Sequence, residues 1–408
     1  MKKLQVWFAS LFILLAVQGR AQTTEIIDIP SKIFHGIRKV KICLPQGYND
    51  YPNRKYNVIY FFDAQSDEFF NYVKATIDYL GANADIFISP VILVGIQTDD
   101  RRFEFLPKNQ TDQPLKDYGT SVRLGGADSL ALHLKKEVFP VIQQKFRCNS
   151  FNIAIGHSLS ASFITYTMIK YPELFNTTIA ISPNYYYDNE QLLHVFSNLT
   201  SYHTLNKKIL YIAYGKDDKT EERFRKSTIK MDSILSKKKI KGLIWQVQSL
   251  DNNSHSTTPL EGIFKGLMAF NRELIPSEQQ IETFYNDRQI SFTDNLKKYY
   301  KSRADSYNIQ LPTIEDINHI AYNCFYSQKN NDAIEVLKWA ISMYPDDTNL
   351  FDSMGEIEQG AGNVKEALSF YTKGLEIVEQ QKANVPIDTY ERLKKGFESR
   401  IKSVVNSK

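Results

Sequence analysis

The chain has 408 residues, 42% hydrophobic and 24% charged, which is more than one ordinary domain needs and the balance of a globular protein with a full core. The formal charge of +4 falls to +1 if Lys2, Lys3 and Arg20 are removed with residues 1–21. No basic excess is then left to neutralise a phosphate backbone, so nucleic acid is not an expected partner. Cys43, Cys148 and Cys324 are scattered without CxxC spacing and imply neither a zinc site nor a disulfide framework.

Taken from the N-terminus, Lys2 and Lys3 precede an apolar run from Val6 to Val17, and Gly19-Arg20-Ala21 sets small residues at both recognition positions of a signal-peptidase site. Residues 1–21 are expected to be a signal peptide, which makes the protein exported, periplasmic or secreted. A retained membrane anchor is the alternative; the run is short for a transmembrane helix, and no stable insertion is expected.

Short apolar or β-branched runs follow at Glu25–Ile29, Arg38–Leu44, Val58–Phe62, Val91–Ile96, Phe151–Ile155, Thr178–Ile181, Ile209–Tyr214 and Leu243–Leu250. Helical patterns lie between them at Asp67–Leu80, Asp128–Phe146, Leu159–Tyr171, Thr220–Lys237 and Pro259–Asn271. This alternation predicts an α/β fold with a doubly wound, mostly parallel sheet over residues 22–272. Ligands of such sheets sit beyond the carboxyl ends of the strands, so residues directly after strands are the ones to watch. Residues 273–313 turn polar and charged and read as a connecting helix and linker.

From 314 to 408 a small all-α helical-repeat domain is expected. Ile317, Ile320, Ala321, Cys324, Ala333, Leu337, Ala340 and Pro345 follow the spacing of a tetratricopeptide repeat, and a step of 34 residues leads to a weaker copy with Gly355 and Ala367 at the small positions. Ile387–Val405 would cap it. An unrelated pair of helical hairpins is the alternative.

Gly156-His157-Ser158-Leu159-Ser160 falls between the strand Phe151–Ile155 and the helix Leu159–Tyr171. A strand, a sharp turn and a helix around a serine fit a nucleophile elbow, with Ser160 replacing the usual final Gly. The plainer alternative makes Ser158 a helix N-cap. A serine hydroxyl needs a base. Of the seven histidines, His255 follows the last strand through the polar loop Asp251–Ser254 and precedes a helix, which is where a base would be brought back to the sheet edge. The chain order Ser, acid, His places a carboxylate after Ile209–Tyr214, where Gly215-Lys216-Asp217-Asp218 stands.

These stretches resemble the esterase family of α/β-hydrolases, the group that contains esterase D, ferric-enterochelin esterases and mycolyltransferases. Further support comes from Val58–Asp63-Ala64-Gln65, similar to that family's strand and oxyanion loop, from Ile96, Arg101, Glu104 and Pro107 at the spacings of its following loop, and from Ile181-Ser182-Pro183. The resemblance spans residues 25–272 and implies the α/β-hydrolase fold and an ester substrate: a short-chain or sugar-linked acyl ester, or a siderophore-type lactone. It implies Ser158 as nucleophile, His255 as base and Asp218 as acid, the fourth position of a Gly-x-x-Asp turn, with Asp217 as the alternative. The oxyanion donors it implies are the N–H of Leu159 and that of Gln65 or Ala64. Tyr185, Tyr186 and His157 are candidate substrate-binding residues. No HExxH, Cys/His cluster, Asp-rich calcium loop or glycine-rich phosphate loop occurs, so no metal or cofactor is expected. A second reading makes the chain a binding scaffold that recruits a protein or peptide through its repeats.

Overall fold

The computed structural model describes residues 24–82, 89–199, 205 and 207–406; the expected signal peptide lies outside them. Eight strands form one sheet: β1 (Glu25–Ser31), β2 (Gly36–Cys43), β3 (Tyr56–Phe62), β4 (Val91–Ile96), β5 (Cys148–His157), β6 (Thr177–Ile181), β7 (Lys208–Tyr214) and β8 (Leu243–Ser249), in the order β1-β2-β4-β3-β5-β6-β7-β8. The pairs β1/β2 and β2/β4 are antiparallel and every later pair is parallel, so the expected doubly wound architecture is the observed one. The sequence of each strand reports its place. β3 reads Tyr-Asn-Val-Ile-Tyr-Phe-Phe with every residue buried, because helices cover both of its faces. β1 alternates exposed and buried residues along Ile26 to Ser31, as an edge strand with one wet face does.

The helices of this region are α1 (Asp67–Ala82), the short α2 (Arg101–Phe105) and α3 (Gln113–Tyr118), α4 (Ala127–His133), which runs through a π-turn at Leu134–Val138 into α5 (Phe139–Lys145), α6 (Leu159–Lys170), α7 (Tyr187–Ser197), α8 (Lys219–Lys238) and α9 (Thr258–Leu274). One core packs α4 to α6 against the sheet through Leu130, Leu134, Ile142, Phe163 and Phe62. The core on the other face joins α1 and α9 through Phe70, Val73, Phe151, Ile263 and Leu267. Fully burying each such side chain stabilises the fold by roughly 1.5–3 kcal/mol before the cost of chain ordering. The helices α2, α3 and α7 carry no clear apolar period and emerge only in the fold. The stretch 273–313, expected as connection, is mostly helical: α10 (Glu278–Asn286) and α11 (Phe292–Tyr307) start at Ser277 and Ser291, whose hydroxyls accept first-turn N–H groups. Leu296 and Tyr300 bury α11 in the same core as the helices that follow.

Those helices are α12 (Ile314–Tyr326), α13 (Asn330–Met343), α14 (Thr348–Gly360), α15 (Val364–Gln380) and α16 (Ile387–Asn406), with starts at Ile314 and Thr348 and at Asn330 and Val364 repeating at the step read from the sequence. Gly355 is there for space: a Cβ on it would meet the Tyr371 ring at 2.4 Å. Among the described residues no helix is long and apolar enough to cross a membrane.

The repeated helices dock at the amino ends of the strands. Arg54, just before β3, pairs with Asp347 through Nε at 2.5 Å and Nη2 at 2.9 Å and with Glu315 at 2.5 Å, while its guanidinium lies 3.5 Å from the Tyr51 ring centroid. Asp50 meets Arg392 at 2.7 Å, and Ser89, ahead of β4, bonds Thr313 at 2.9 Å. The carboxyl ends, where the candidate residues lie, are on the opposite edge.

Candidate active site

β5 ends at His157, and Ser158 takes φ 63° and ψ −116° before α6 begins. A left-handed φ is costly for a residue with a Cβ, on the order of 1–3 kcal/mol, and persists only where neighbours enforce it. Here the Ser158 N–H donates to Ile181 O at 2.9 Å, and its carbonyl accepts from Ser162 N at 3.2 Å and Asn184 N at 3.3 Å. Gly156 is required beneath the turn, since a Cβ there would sit 2.8 Å from the Ser160 carbonyl carbon. The Ser158 side chain caps nothing, which removes the N-cap alternative. Its Oγ lies 3.0 Å from His255 Nε2.

His255 is held on every side. Its ring is 4.5 Å from the His157 ring and meets Phe224 edge-on at 5.2 Å. Its N–H donates to Asp218 Oδ2 at 2.6 Å, and its carbonyl accepts from Thr258 Oγ1 at 3.0 Å and from His157 Nε2 at 2.9 Å. Because a carbonyl only accepts, His157 carries its proton on Nε2. Burial, helped by the neighbouring His255 ring and by Arg101, pushes the His157 pKa down to about 3 and keeps it neutral. His157, expected among the substrate-binding residues, therefore supports the His255 backbone.

The partner at His255 Nδ1 is neither of the expected aspartates. It is Glu221, whose Oε1 is 2.6 Å away. Asp218 is corrected: its Oδ1 accepts from Glu221 N at 2.8 Å as the N-cap of α8, and its other oxygen binds the His255 amide, so it meets the histidine's backbone and not the imidazole. Asp217, exposed at the turn, reaches no part of the ring. Glu221 stands one turn into α8, fully buried, with its second oxygen accepting from Gly215 N at 2.7 Å. A carboxylate out of water needs both oxygens satisfied, and these two donors do that. The signal that could have located it is Asp218-Lys219-Thr220-Glu221, the spacing of an N-cap with an acid at N3; here the N3 side chain turns to the histidine.

Asp63 leaves β3 with φ 69° and ties the neighbouring loops together. Its carboxylate accepts from both Arg101 Nε and Nη2, from Ser160 Oγ at 2.8 Å and from Gln65 Nε2 at 3.1 Å. Ser160, where the family pattern has Gly, thus links the elbow to the loop after β3, and its Oγ also accepts from His157 N at 2.9 Å. Glu104 folds the loop carrying Arg101 by accepting from Asp99 N and Asp100 N and by pairing with buried Arg38 at 2.5 Å. Of the two amides expected after β3, that of Ala64 is occupied by Ile96 O at 3.1 Å, so Ala64 is corrected and Gln65 remains. Leu159 opens α6, where a first-turn N–H has no acceptor inside the helix. Tyr185 is also corrected. It is 1% exposed, with its hydroxyl 2.8 Å from Thr165 Oγ1, and faces the core. Tyr186 is half-buried, with the Arg223 guanidinium 5.9 Å from its ring.

The sheet, the strained serine at the end of its central strand and the histidine returning after the last strand define an α/β-hydrolase. More narrowly, the chain belongs to the family described as Putative esterase, whose model matches residues 31–255, more than half of its length. Solved structures share the fold. An IroE-like serine hydrolase from Shewanella oneidensis is 17% identical with a TM-score of 0.68, covering 79% of this chain and all of that one. An uncharacterised protein from Capnocytophaga ochracea is 16% identical with a TM-score of 0.60 and covers 94% of this chain and all of that one. The siderophore hydrolase EstA from Aspergillus nidulans is 16% identical, with a TM-score of 0.50 over 62% of this chain and 95% of its own. No curated protein matches by sequence.

Proposed function

We propose that the protein is an exported serine carboxylesterase in which Ser158 is the nucleophile, His255 the general base and Glu221 the acid that orients it. The observation that carries this reading is the line from hydroxyl to imidazole to buried carboxylate, 3.0 and 2.6 Å long. His255 Nε2 takes the Ser158 proton as Oγ attacks the acyl carbonyl, then returns it to the departing alcohol. The Leu159 and Gln65 amides stabilise the tetrahedral oxyanion, whose charge develops only on the way to the intermediate. Water, activated by the same imidazole, releases the acyl group. The family supports a small-molecule ester as substrate, and the likeness to a siderophore hydrolase keeps a siderophore-type ester among the candidates. The C-terminal helices are read as tetratricopeptide-like. A peptide-binding scaffold has no use for a desolvated carboxylate aimed at an imidazole, so hydrolysis is preferred. A fluorophosphonate probe tests the reading: labelling of the wild type and none of Ser158→Ala is expected, and an unlabelled wild type overturns it.

A further inference from the structure

The sheet ends in two strands of opposite character. β1 closes one edge with Glu25, Asp28 and Pro30 among its seven residues, the charges and proline that keep an open edge from pairing with another chain. β8 closes the other edge as Leu-Ile-Trp-Gln-Val-Gln-Ser, with neither a charge nor a proline, and among the described residues no strand lies beyond it. The register fixes which main-chain groups it leaves open. Lys208 N donates to Gly242 O at 3.3 Å and Leu250 N to Tyr214 O at 2.9 Å, and β7 pairs with β8 without a shift between those ends. Even-numbered residues of β8 therefore bond to β7, while Leu243, Trp245, Val247 and Ser249 turn their N–H and C=O outward. Leu243 N is taken by Ile240 O at 3.2 Å and Ser249 O by Gln248 Nε2 at 2.9 Å. At the centre of the strand, Trp245 and Val247 have no partner for either group among the described residues.

Charge along this edge selects the strand that fits it. Lys237, Lys239 and Lys241, all exposed, stand where the chain enters β8, and Asp251 stands where it leaves. Lys241 forms no ion pair among the described residues, and the Asp251 side chain, though it meets Lys216 at 2.6 Å, is 73% exposed. A parallel neighbour of the same sequence would set lysines against lysines. An antiparallel one sets the lysine end of each strand against the aspartate end of the other, which is the arrangement a two-fold axis produces. With the axis at Gln246, itself exposed, Trp245 of one copy faces Val247 of the other as a hydrogen-bonded pair, and each Lys241 comes to the end of the strand that carries the other copy's Asp251.

We propose that β8 is a dimerisation strand, at which two copies of the chain join their sheets antiparallel about Gln246 into one continuous sheet. A second copy supplies both the open main-chain groups and the opposite order of charge without any further component. Antiparallel joining points the carboxyl ends of the two sets of parallel strands in opposite directions, so the two candidate active sites open at opposite edges of the joined sheet and neither obstructs the other.

Sedimentation velocity of the full chain at micromolar concentrations is expected to show a dimer. Gln246→Lys sets two ammonium groups face to face on the axis and leaves the main-chain bonds to β7 in place. It is expected to raise the dimer Kd tenfold or more, with the circular dichroism spectrum of the wild type. Val247→Pro, which deletes only an outward N–H, is expected to weaken the dimer to a similar extent. Gln246→Cys tests the register: the two members of a non-hydrogen-bonded antiparallel pair lie within disulfide reach, so mild oxidation is expected to give a covalent dimer linked through residue 246, located by mass spectrometry of the joined peptides. A wild-type monomer, whether bare or carrying another protein on the strand, overturns the proposal. So does a dimer that both Gln246→Lys and Val247→Pro leave unchanged, or one in which Gln246→Cys forms no link to its own copy.

Discussion

An imidazole that is to accept a proton at Nε2 must hold its own proton at Nδ1, and a buried carboxylate at Nδ1 selects that tautomer and stabilises the imidazolium that follows. Glu221 occupies that position. Glu221→Gln is therefore expected to lower kcat by about 10²–10⁴-fold with little change in KM, while Asp217→Asn leaves steady-state rates within twofold; equal losses in the two would deny Glu221 its role. His157 gives a prediction in pH. Its pKa in the fold, about 3, lies below the roughly 6.5 of an unfolded histidine, so between those values the unfolded chain binds the extra proton. Its contribution is complete above pH 6.5 and is lost as pH falls toward 3; buried His133 is lowered too and adds in the same direction. His157→Gln, which still offers a side-chain N–H to the His255 carbonyl, should flatten the acid limb of a plot of Tm against pH. An unchanged limb would place that sensitivity elsewhere.

Elements bring these residues together through contacts that tolerate no bulk. Gly215 lies where the loop after β7 crosses the loop after β8: the Lys216 and Asp217 amides donate to Asn253 O, and a Cβ on Gly215 would fall 2.1 Å from that oxygen. Gly215→Ala is expected to separate the loops, lower kcat/KM by a hundredfold or more and reduce Tm, as read by kinetics and thermal melting; retention of both would mean the loops yield cheaply. The same crossing explains what could be read from the sequence. The elbow is local, a five-residue run across the end of a strand and the start of a helix, so Ser158 stands out in the sequence; His255 does so because it follows the last strand. The acid does not. A Gly-x-x-Asp turn points to Asp218, but that carboxylate starts a helix and the residue one turn later has the reach. Tyr185 misled for a related reason: an aromatic run after a strand shows no direction until α7 decides which ring turns inward. α7 itself begins in three left-handed residues, Asp188 to Glu190, where Asp188 accepts from the Gln110 and Thr111 amides. No periodicity announces such a start.

For the molecule as a whole, the sheet separates two jobs. Arg54 fastens the repeated helices at the amino edge with two carboxylates, and removing one member of a buried ion cluster commonly costs about 3–5 kcal/mol. Arg54→Ala should thus lower Tm or split the melting transition while leaving kcat/KM on a neutral ester within twofold; an equal fall in activity would show that the helices shape the site. The alternation of strands and helices and the 34-residue step made both regions legible in advance, but the docking was not, because Arg54 and Asp347 are far apart in sequence and neither belongs to a motif.

Asp218 joins the first turn of α8 to the histidine's backbone while Glu221, on that same turn, grips the ring. Carboxylate and imidazole are consequently held as one block, and the His157 ring, donating to the His255 carbonyl at 2.9 Å, fastens the end of β5 to that block. A change at any one of these three anchors, the Asp218 carboxylate, the Glu221 carboxylate or the His157 ring, would therefore be felt at the same hydroxyl-to-nitrogen gap of 3.0 Å.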